Sequence, residues 1–212
     1  MNTIEIKNLT KKFKEATVLD NISVDFEKGK VHGLIGRNGS GKTMLMKCIC
    51  GIVPYKIGEI RVNDKIIGKD VDIPENVGVI IETPGFLPNY SGFNNLKFLT
   101  KISNKIGAKE IRNAISGVGL NPDDKKHVGK YSLGMRQRLG LAQAIMENPE
   151  LLILDEPMNG LDKDGVKDMR QYLLDLKEQG KTILIASHSA EDIDVLCDTV
   201  CEMDKGKLCV IR

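Results

Sequence analysis

No stretch of this chain is apolar for long enough to cross a bilayer: no run approaches the roughly 18–20 residues that a membrane helix needs. The opening residues, MNTIEIKNLT, are polar and contain no signal-peptide core. Both absences point to a cytosolic chain. An excess of charge is missing as well. Lysine and arginine total 31 against 29 acidic residues, for a net charge of +2. Charge therefore gives no reason to expect nucleic acid or an anionic lipid surface as a partner. Internal repeats and low-complexity segments are absent. Cysteine is sparse and odd in number, five in all, which does not suit a disulfide framework. The histidines (32, 127 and 188) are scattered, so the Cys197-x3-Cys201 pair has no companions that favour a structural metal. Buried, reduced thiols are expected instead.

What is present is an ordinary globular composition, 41% apolar and 28% charged over 212 residues. That length suits one domain, or one domain with a substantial insertion. Four short apolar runs read as buried strands: VHGLIG (31–36), VGVII (77–81), LLILD (151–155) and TILIAS (182–187). Helical patterns at 40–50 and 163–178 separate them. This alternation predicts an α/β fold with a mostly parallel sheet covered by helices. Near the N-terminus, TIEIKNL, DNISVDFEKG and GEIRVNDKII read as antiparallel strands, with "NDK" (63–65) as a hairpin turn. TVCEMDKGKLCVI (199–211) reads as a last strand. Residues 84–148 hold no convincing strand. They open with Pro84, Gly85 and Pro88 and continue with helical patterns at about 91–103, 108–118 and 133–147. The expected organisation is one domain. Residues 1–83 and 149–212 form its α/β core with an antiparallel β-subdomain, and 84–148 form a helical insertion.

GRNGSGKT (36–43) fits G-x4-G-K-[ST] in the setting that motif requires, after a strand and opening a helix. Glycines let backbone amides approach a polyphosphate with no Cβ in the way, and the helix N-terminus adds its dipole and free N–H groups. Lys42 would place a cation on the β- and γ-phosphates, and Thr43 would offer a hydroxyl to Mg²⁺. LLILDEP (151–157) then ends a buried strand on two adjacent acids. Ligands gather at the C-terminal ends of parallel strands. Asp155 would hold Mg²⁺ through water. Glu156, pointing elsewhere, suits a general base or water-positioning group at the γ-phosphate.

YSLGMRQRLGLAQAI (131–145) begins a helix with Ser132 as its N-cap. Placed shortly before LLILDEP, it resembles the signature helix of ATP-binding cassette (ABC) ATPases. Further motifs follow the family's order. Phe13 sits where an aromatic stacks on adenine, with Val18 nearby. NGLD (159–162) matches the D-loop, and SHS (187–189) places His188 as the switch histidine. The resemblance covers essentially the whole chain. It implies a RecA-like P-loop NTPase fold, a head-to-tail dimer around two ATP molecules, and ATP held by Gly36, Arg37, Asn38, Gly39, Ser40, Gly41, Lys42, Thr43 and Met44. It also implies that Ser132, Leu133, Gly134 and Met135 of one subunit meet the ATP of the other, and that Asp162 links the two sites. Glu156 would activate water and His188 would contact the γ-phosphate. Leu133 and Met135 depart from the family's usual glycine and glutamine, and a thioether cannot donate the glutamine's hydrogen bond.

Met158 and Asn159 likewise depart from the family's common threonine and serine before the D-loop. This set resembles the bacterial subgroup serving bacitracin resistance and lantibiotic immunity, which carries glutamate in place of the Q-loop glutamine. Glu82, at the end of VGVIIE, occupies that position. The resemblance implies that Glu82 joins Thr43 and Asp155 at Mg²⁺. With Asp155 and Glu156 it would place three acids around one metal, each raising the others' pKa in the cation's absence. Residues 84–98 hold four of the aromatics, Phe86, Tyr90, Phe93 and Phe98. Phe98 is expected to pack inside the insertion, whereas Phe86, Leu87 and Tyr90 are expected to dock an integral-membrane permease. The resulting expectation is the ATP-hydrolysing subunit of a peptide-antibiotic exporter, peripheral on the inner face of the membrane and forming a homodimer. An ABC ATPase without a membrane partner and a slowly turning nucleotide switch are the alternatives.

Overall fold

The computed structural model describes residues 1–103 and 105–212. Two sheets form its frame. The first is antiparallel, in the order β2-β1-β4-β5, built from β1 (Asn2–Phe13), β2 (Ala16–Glu27), β4 (Ile57–Val62) and β5 (Lys65–Ile66). The second contains β3 (Val31–Ile35), β6 (Val77–Ile80), β7 (Leu151–Asp155), β8 (Thr182–Ala186), β9 (Thr199–Asp204) and β10 (Lys207–Val210), in the order β10-β9-β3-β8-β7-β6. Its pairings are parallel except β9 with β10. Both the parallel sheet and the N-terminal antiparallel strands follow the expectation from sequence.

Turn chemistry explains the strand ends. Asn63 and Asp64 both adopt positive φ (47° and 65°) between β4 and β5, as a two-residue hairpin turn demands, and both side chains tolerate that region. The segment 199–211 is not one strand but a hairpin. Lys205 (φ 46°) and Gly206 (φ 81°) reverse the chain between β9 and β10. The β1–β2 hairpin is also longer than the sequence pattern suggested, turning at Lys14 (φ 52°).

Side chains alternate across the parallel sheet, so it feeds two cores. Leu151 and Ile153 of β7 join the core under β1, β2, β4 and α1 (Lys42–Ile49), whereas Leu152 and Leu154 face the helical side. All four are at most 1% exposed. At roughly 1.5–3 kcal/mol for each buried side chain, their burial contributes about 6–12 kcal/mol to holding β7 in place. Between β6 and β7 lie α2 (Gly92–Ser103), α3 (Ala108–Gly117) and α4 (Leu133–Ile145), and α5 (Lys163–Glu178) and α6 (Ala190–Leu196) cover the later strands. Gly78 of β6 lets α4 approach closely, since a Cβ there would meet the Ala144 carbonyl oxygen at 2.0 Å.

Candidate active site

The C-terminal ends of β3, β6, β7 and β8 converge on one edge of the sheet. β3 leads into residues 36–41 and then α1. The loop depends on glycine: Gly36, Gly39 and Gly41 have φ of 140°, 77° and 114°, a region that L side chains enter only with strain. A Cβ on Gly36 would also lie 2.2 Å from the Met203 carbonyl oxygen. The loop is stitched to the β9–β10 turn, with Gly206 N–H donating to the Ser40 carbonyl at 2.9 Å and Asp20 N–H to the Gly206 carbonyl at 2.8 Å. Lys42 is buried and its ammonium donates to the Gly36 and Arg37 carbonyls at 2.6 and 3.3 Å. Its charge therefore sits over the mouth of the loop. The Ser40 hydroxyl is buried with no protein partner, an unmet polar atom in a cradle of backbone amides.

The loop borders a groove of about 830 Å³, which Val18, Lys42, Thr43, Glu82, Asp155 and Glu156 help to line. Asn38, Gly39 and Met44 line it too. Thr43 donates its hydroxyl hydrogen to Asp155 Oδ2 at 2.6 Å. Glu156, at φ 51°, turns out of the strand. Its Oε2 accepts from His188 Nδ1 at 2.8 Å. A carboxylate only accepts, so Nδ1 carries the hydrogen and Nε2 is free for another partner. Phe13 lies apart from these groups at the end of β1, 46% exposed, with Lys11 Nζ 4.6 Å above its ring. Arg37 is exposed and lines a neighbouring cavity with His188.

Glu82 departs from the expected arrangement. It takes φ 62° at the end of β6, and its Oε1 accepts from Lys47 Nζ of α1 at 2.6 Å. The three-acid metal cluster is not formed: among the described residues no three His, Cys, Asp or Glu side chains are grouped to hold a metal ion. The physical reason is the cation. Lys47 lies one helical turn beyond Thr43, on the same face of α1, and satisfies the carboxylate there.

Ser132 caps α4 as expected, accepting from Met135 N–H at 3.1 Å. Met135 therefore contributes its backbone where its thioether has no hydrogen to give. Asp162 caps α5, accepting from Gly165 N–H at 2.9 Å. Ser132, Gly134, Met135 and Asp162 share a cavity of about 470 Å³. Leu133 is half exposed and packs over Gly160, where a Cβ would meet it at 2.4 Å. Gln137, buried in α4, donates to the Glu156 carbonyl at 3.3 Å. That contact was not anticipated, and a buried amide on an apolar helix face was its only signal.

In the insertion, Leu87 and Tyr90 are exposed, whereas Phe86 is half buried against the helical-side core. Phe98 does not pack inside as expected: it is 36% exposed and stands edge-on to Tyr90 at 5.0 Å. Asn95 fixes the loop above, accepting from Leu87 N–H at 2.8 Å and donating to the Leu87 and Ser91 carbonyls. Cys48, Cys50, Cys197 and Cys201 are buried free thiols, but Cys209 is exposed. Burial pushes Cys50 and Cys197 up to about 12. No helix among the described residues is long and apolar enough to cross a membrane.

The family described as ABC transporter matches residues 19–159. The chain belongs to the ABC transporter ATP-binding family. Among its ABC relatives, the uncharacterized ABC transporter ATP-binding protein YybJ of Bacillus subtilis is 49% identical, covering 97% of this chain and 94% of that one. The bacitracin transport ATP-binding protein BcrA of Enterococcus faecalis is 42% identical, covering 97% and 67%. The lantibiotic transport ATP-binding protein SrtF of Streptococcus pyogenes is 38% identical, covering 97% and 88%. The subgroup expected from Leu133, Met135 and Glu82 is thus the one in which named relatives fall. Among solved ABC cassettes, the dimeric MJ0796 bound to ADP and Pi superposes with a TM-score of 0.87 at 19% identity, covering 99% of both chains. The fold is that of an ABC ATPase, and the chain is an ATPase subunit of this family.

Proposed function

We propose that this chain works as a dimer that binds ATP with Mg²⁺ between its subunits, hydrolyses it, and drives a separate membrane permease that exports a peptide antibiotic or a related amphipathic compound. The observation that carries the catalytic part is the 2.8 Å contact between Glu156 and His188 beside the glycine loop. Glu156 orients and deprotonates water, a role that contributes about 10²–10⁴-fold. His188, with its Nδ1 hydrogen given to Glu156, turns Nε2 toward the terminal phosphate. Lys42 moves from its own loop carbonyls onto the phosphates, and Ser40 and Asn38 line the approach. Phe13 and Val18 receive the base.

Mg²⁺ suits the donors present, since Thr43 and Asp155 offer hard oxygens held together at 2.6 Å. Bound there, the cation would neutralise charge on the transferred phosphoryl group. Glu82 adds its oxygen only by letting go of Lys47. The signature residues Ser132 to Met135 face the partner's ATP, and Asp162 joins the two sites. Phe86, Leu87 and Tyr90 form the permease contact, with the chain peripheral on the inner face of the membrane. The named relatives that transport bacitracin and lantibiotic support the substrate class.

Phosphate release by the purified protein, with Glu156→Gln as its control, tests the enzymatic reading. Equal rates for the two proteins refute it. Co-purification with an integral-membrane protein, and stimulation of ATPase activity in those membranes by bacitracin or a lantibiotic, test the transport reading. A chain that recovers only in the soluble fraction and ignores both peptides overturns it.

A further inference from the structure

His188 is the least supported member of the catalytic pair. Its side chain is 68% exposed against 22% for Glu156. A cavity of about 410 Å³ separates the switch loop from α5, so packing from that side does not hold the imidazole. The backbone on either side of it is held instead. Ser187 is 2% exposed and Asp192 3% exposed. Ser187 donates its hydroxyl hydrogen to Asp192 Oδ2 at 3.1 Å, and its Oγ accepts from Ser189 N–H at 3.1 Å. Asp192 N–H returns a bond to Ser189 Oγ at 3.3 Å. Ser187 is thereby fastened to the buried Asp192 carboxylate, and Ser189 to Ser187 and to the Asp192 backbone N–H.

That carboxylate is anchored from another element. Arg170 of α5 places Nε 2.8 Å from Asp192 Oδ1, adds a second bond through Nη2, and reaches Glu191 through Nη1 at 2.7 Å. Its planar fork suits this two-point grip in a way that an ammonium does not. Arg170 sits on the helix that Asp162 caps, about 12 Å along its axis from that cap.

We propose that Arg170 and Asp192 are positioning residues for ATP hydrolysis, which bracket the switch loop and set where His188 stands against Glu156 and the terminal phosphate. The proposal rests on His188 being the residue that meets that phosphate. The bracket joins α5 and α6 through directional contacts, so a shift of the Asp162-capped helix when two subunits meet reaches the histidine directly.

Removing one member alone strands a buried charge and can unfold the protein. The double variant Arg170→Met/Asp192→Leu removes both charges, and such apolar replacements of a buried pair are often neutral for folding. The expected result is a folded protein whose kcat falls on the order of 100-fold, the cost of about 1 Å of misplacement at a reacting group. Its KM for ATP should stay within about twofold, because ground-state binding is untouched. The chain has three histidines, so ring C–H resonances resolve the cause. That of His188 should move, whereas those of His32 and His127 stay in place. Arg170→Lys, which keeps the charge and loses the fork, should fall between the two. The spectrum requires no turnover, so a shifted His188 in a protein without ATPase activity supports the bracket and removes the catalytic reading instead. A folded double variant with unchanged kcat overturns the proposal. So does a fall in kcat with His188 unmoved, which marks a purely structural pair.

Discussion

Neutralising Lys47 and neutralising Glu82 should act on ATP binding in opposite directions. The two side chains meet at 2.6 Å, with the lysine 21% and the glutamate 66% exposed. A pair this open contributes about 0.2–1 kcal/mol to stability, so Lys47→Met and Glu82→Gln should each lower Tm by no more than about 4 °C in a domain of this size. The effect on nucleotide is larger, because ATP brings several charges. Across about 8 Å of water-like dielectric, one unit charge acts on each phosphate charge with about 0.5 kcal/mol. Summed over the triphosphate and reduced by salt, this gives about 1–2 kcal/mol, or roughly 5- to 30-fold in Kd. Without Mg²⁺, Lys47→Met should weaken ATP by that factor, since the Glu82 carboxylate then faces the phosphates unpaired. Glu82→Gln should tighten it similarly, and the double variant should return near the wild-type value. Titration of a fluorescent ATP analogue in chelator at low and physiological salt measures all four proteins, and the differences should shrink as salt rises. If both single variants move the same way, or neither moves at low salt, the charge pairing does not govern nucleotide entry.

Glu156→Gln should lower kcat by at least about 100-fold while ATP still binds, which phosphate release and nucleotide titration together measure. His32 is buried between Phe26, Thr199 and Glu27, and burial holds its pKa below the ordinary value. The unfolded chain thus binds a proton first as pH falls below about 6.5, so stability is full above that pH and is lost toward the folded pKa at up to about 1.4 kcal/mol per pH unit. Chemical unfolding between pH 7.5 and 5.5 should show a shallower decline in His32→Gln. Gly78→Ala drives a methyl group into the Ala144 carbonyl and should cost about 1–3 kcal/mol, read as a lower Tm. Alanine at Leu87 and Tyr90, both exposed, should leave ATPase activity of the purified protein intact and abolish recovery with the proposed permease. Recovery at the wild-type level removes these residues from the docking surface.

The glycine loop, the paired acids at the end of β7 and the cap on α4 were legible because each is local. A strand, a loop and a helix start lie within a dozen residues, and their chemistry follows from backbone geometry. What escaped was the pairing of side chains distant in sequence. Lys47 and Glu82 are 35 residues apart, and Arg170 and Asp192 are 22 apart. No periodicity announces either pair. Reading Glu82 with only the other acids predicted mutual repulsion, whereas the fold supplies a cation from the helix after the glycine loop. The β9–β10 hairpin was hidden for a different reason. Lys205 lacks the usual preference for positive φ, and Gly206 alone supplied the signal. Phe98 misled because an aromatic in a helical pattern reads as core, yet its ring meets Tyr90, which is more exposed still.

The stitch from Ser40 through Gly206 to Asp20 makes the hairpin turn an outside witness to the glycine loop. Any movement of that loop on filling with phosphate would pass through the Ser40 carbonyl to the turn. Lys205 is exposed and lies beside Gly206. An environment-sensitive dye on Lys205→Cys, in a chain whose exposed Cys209 is replaced, becomes an optical gauge of occupancy. Nucleotide arrival and departure could then be timed from a position that leaves the groove free.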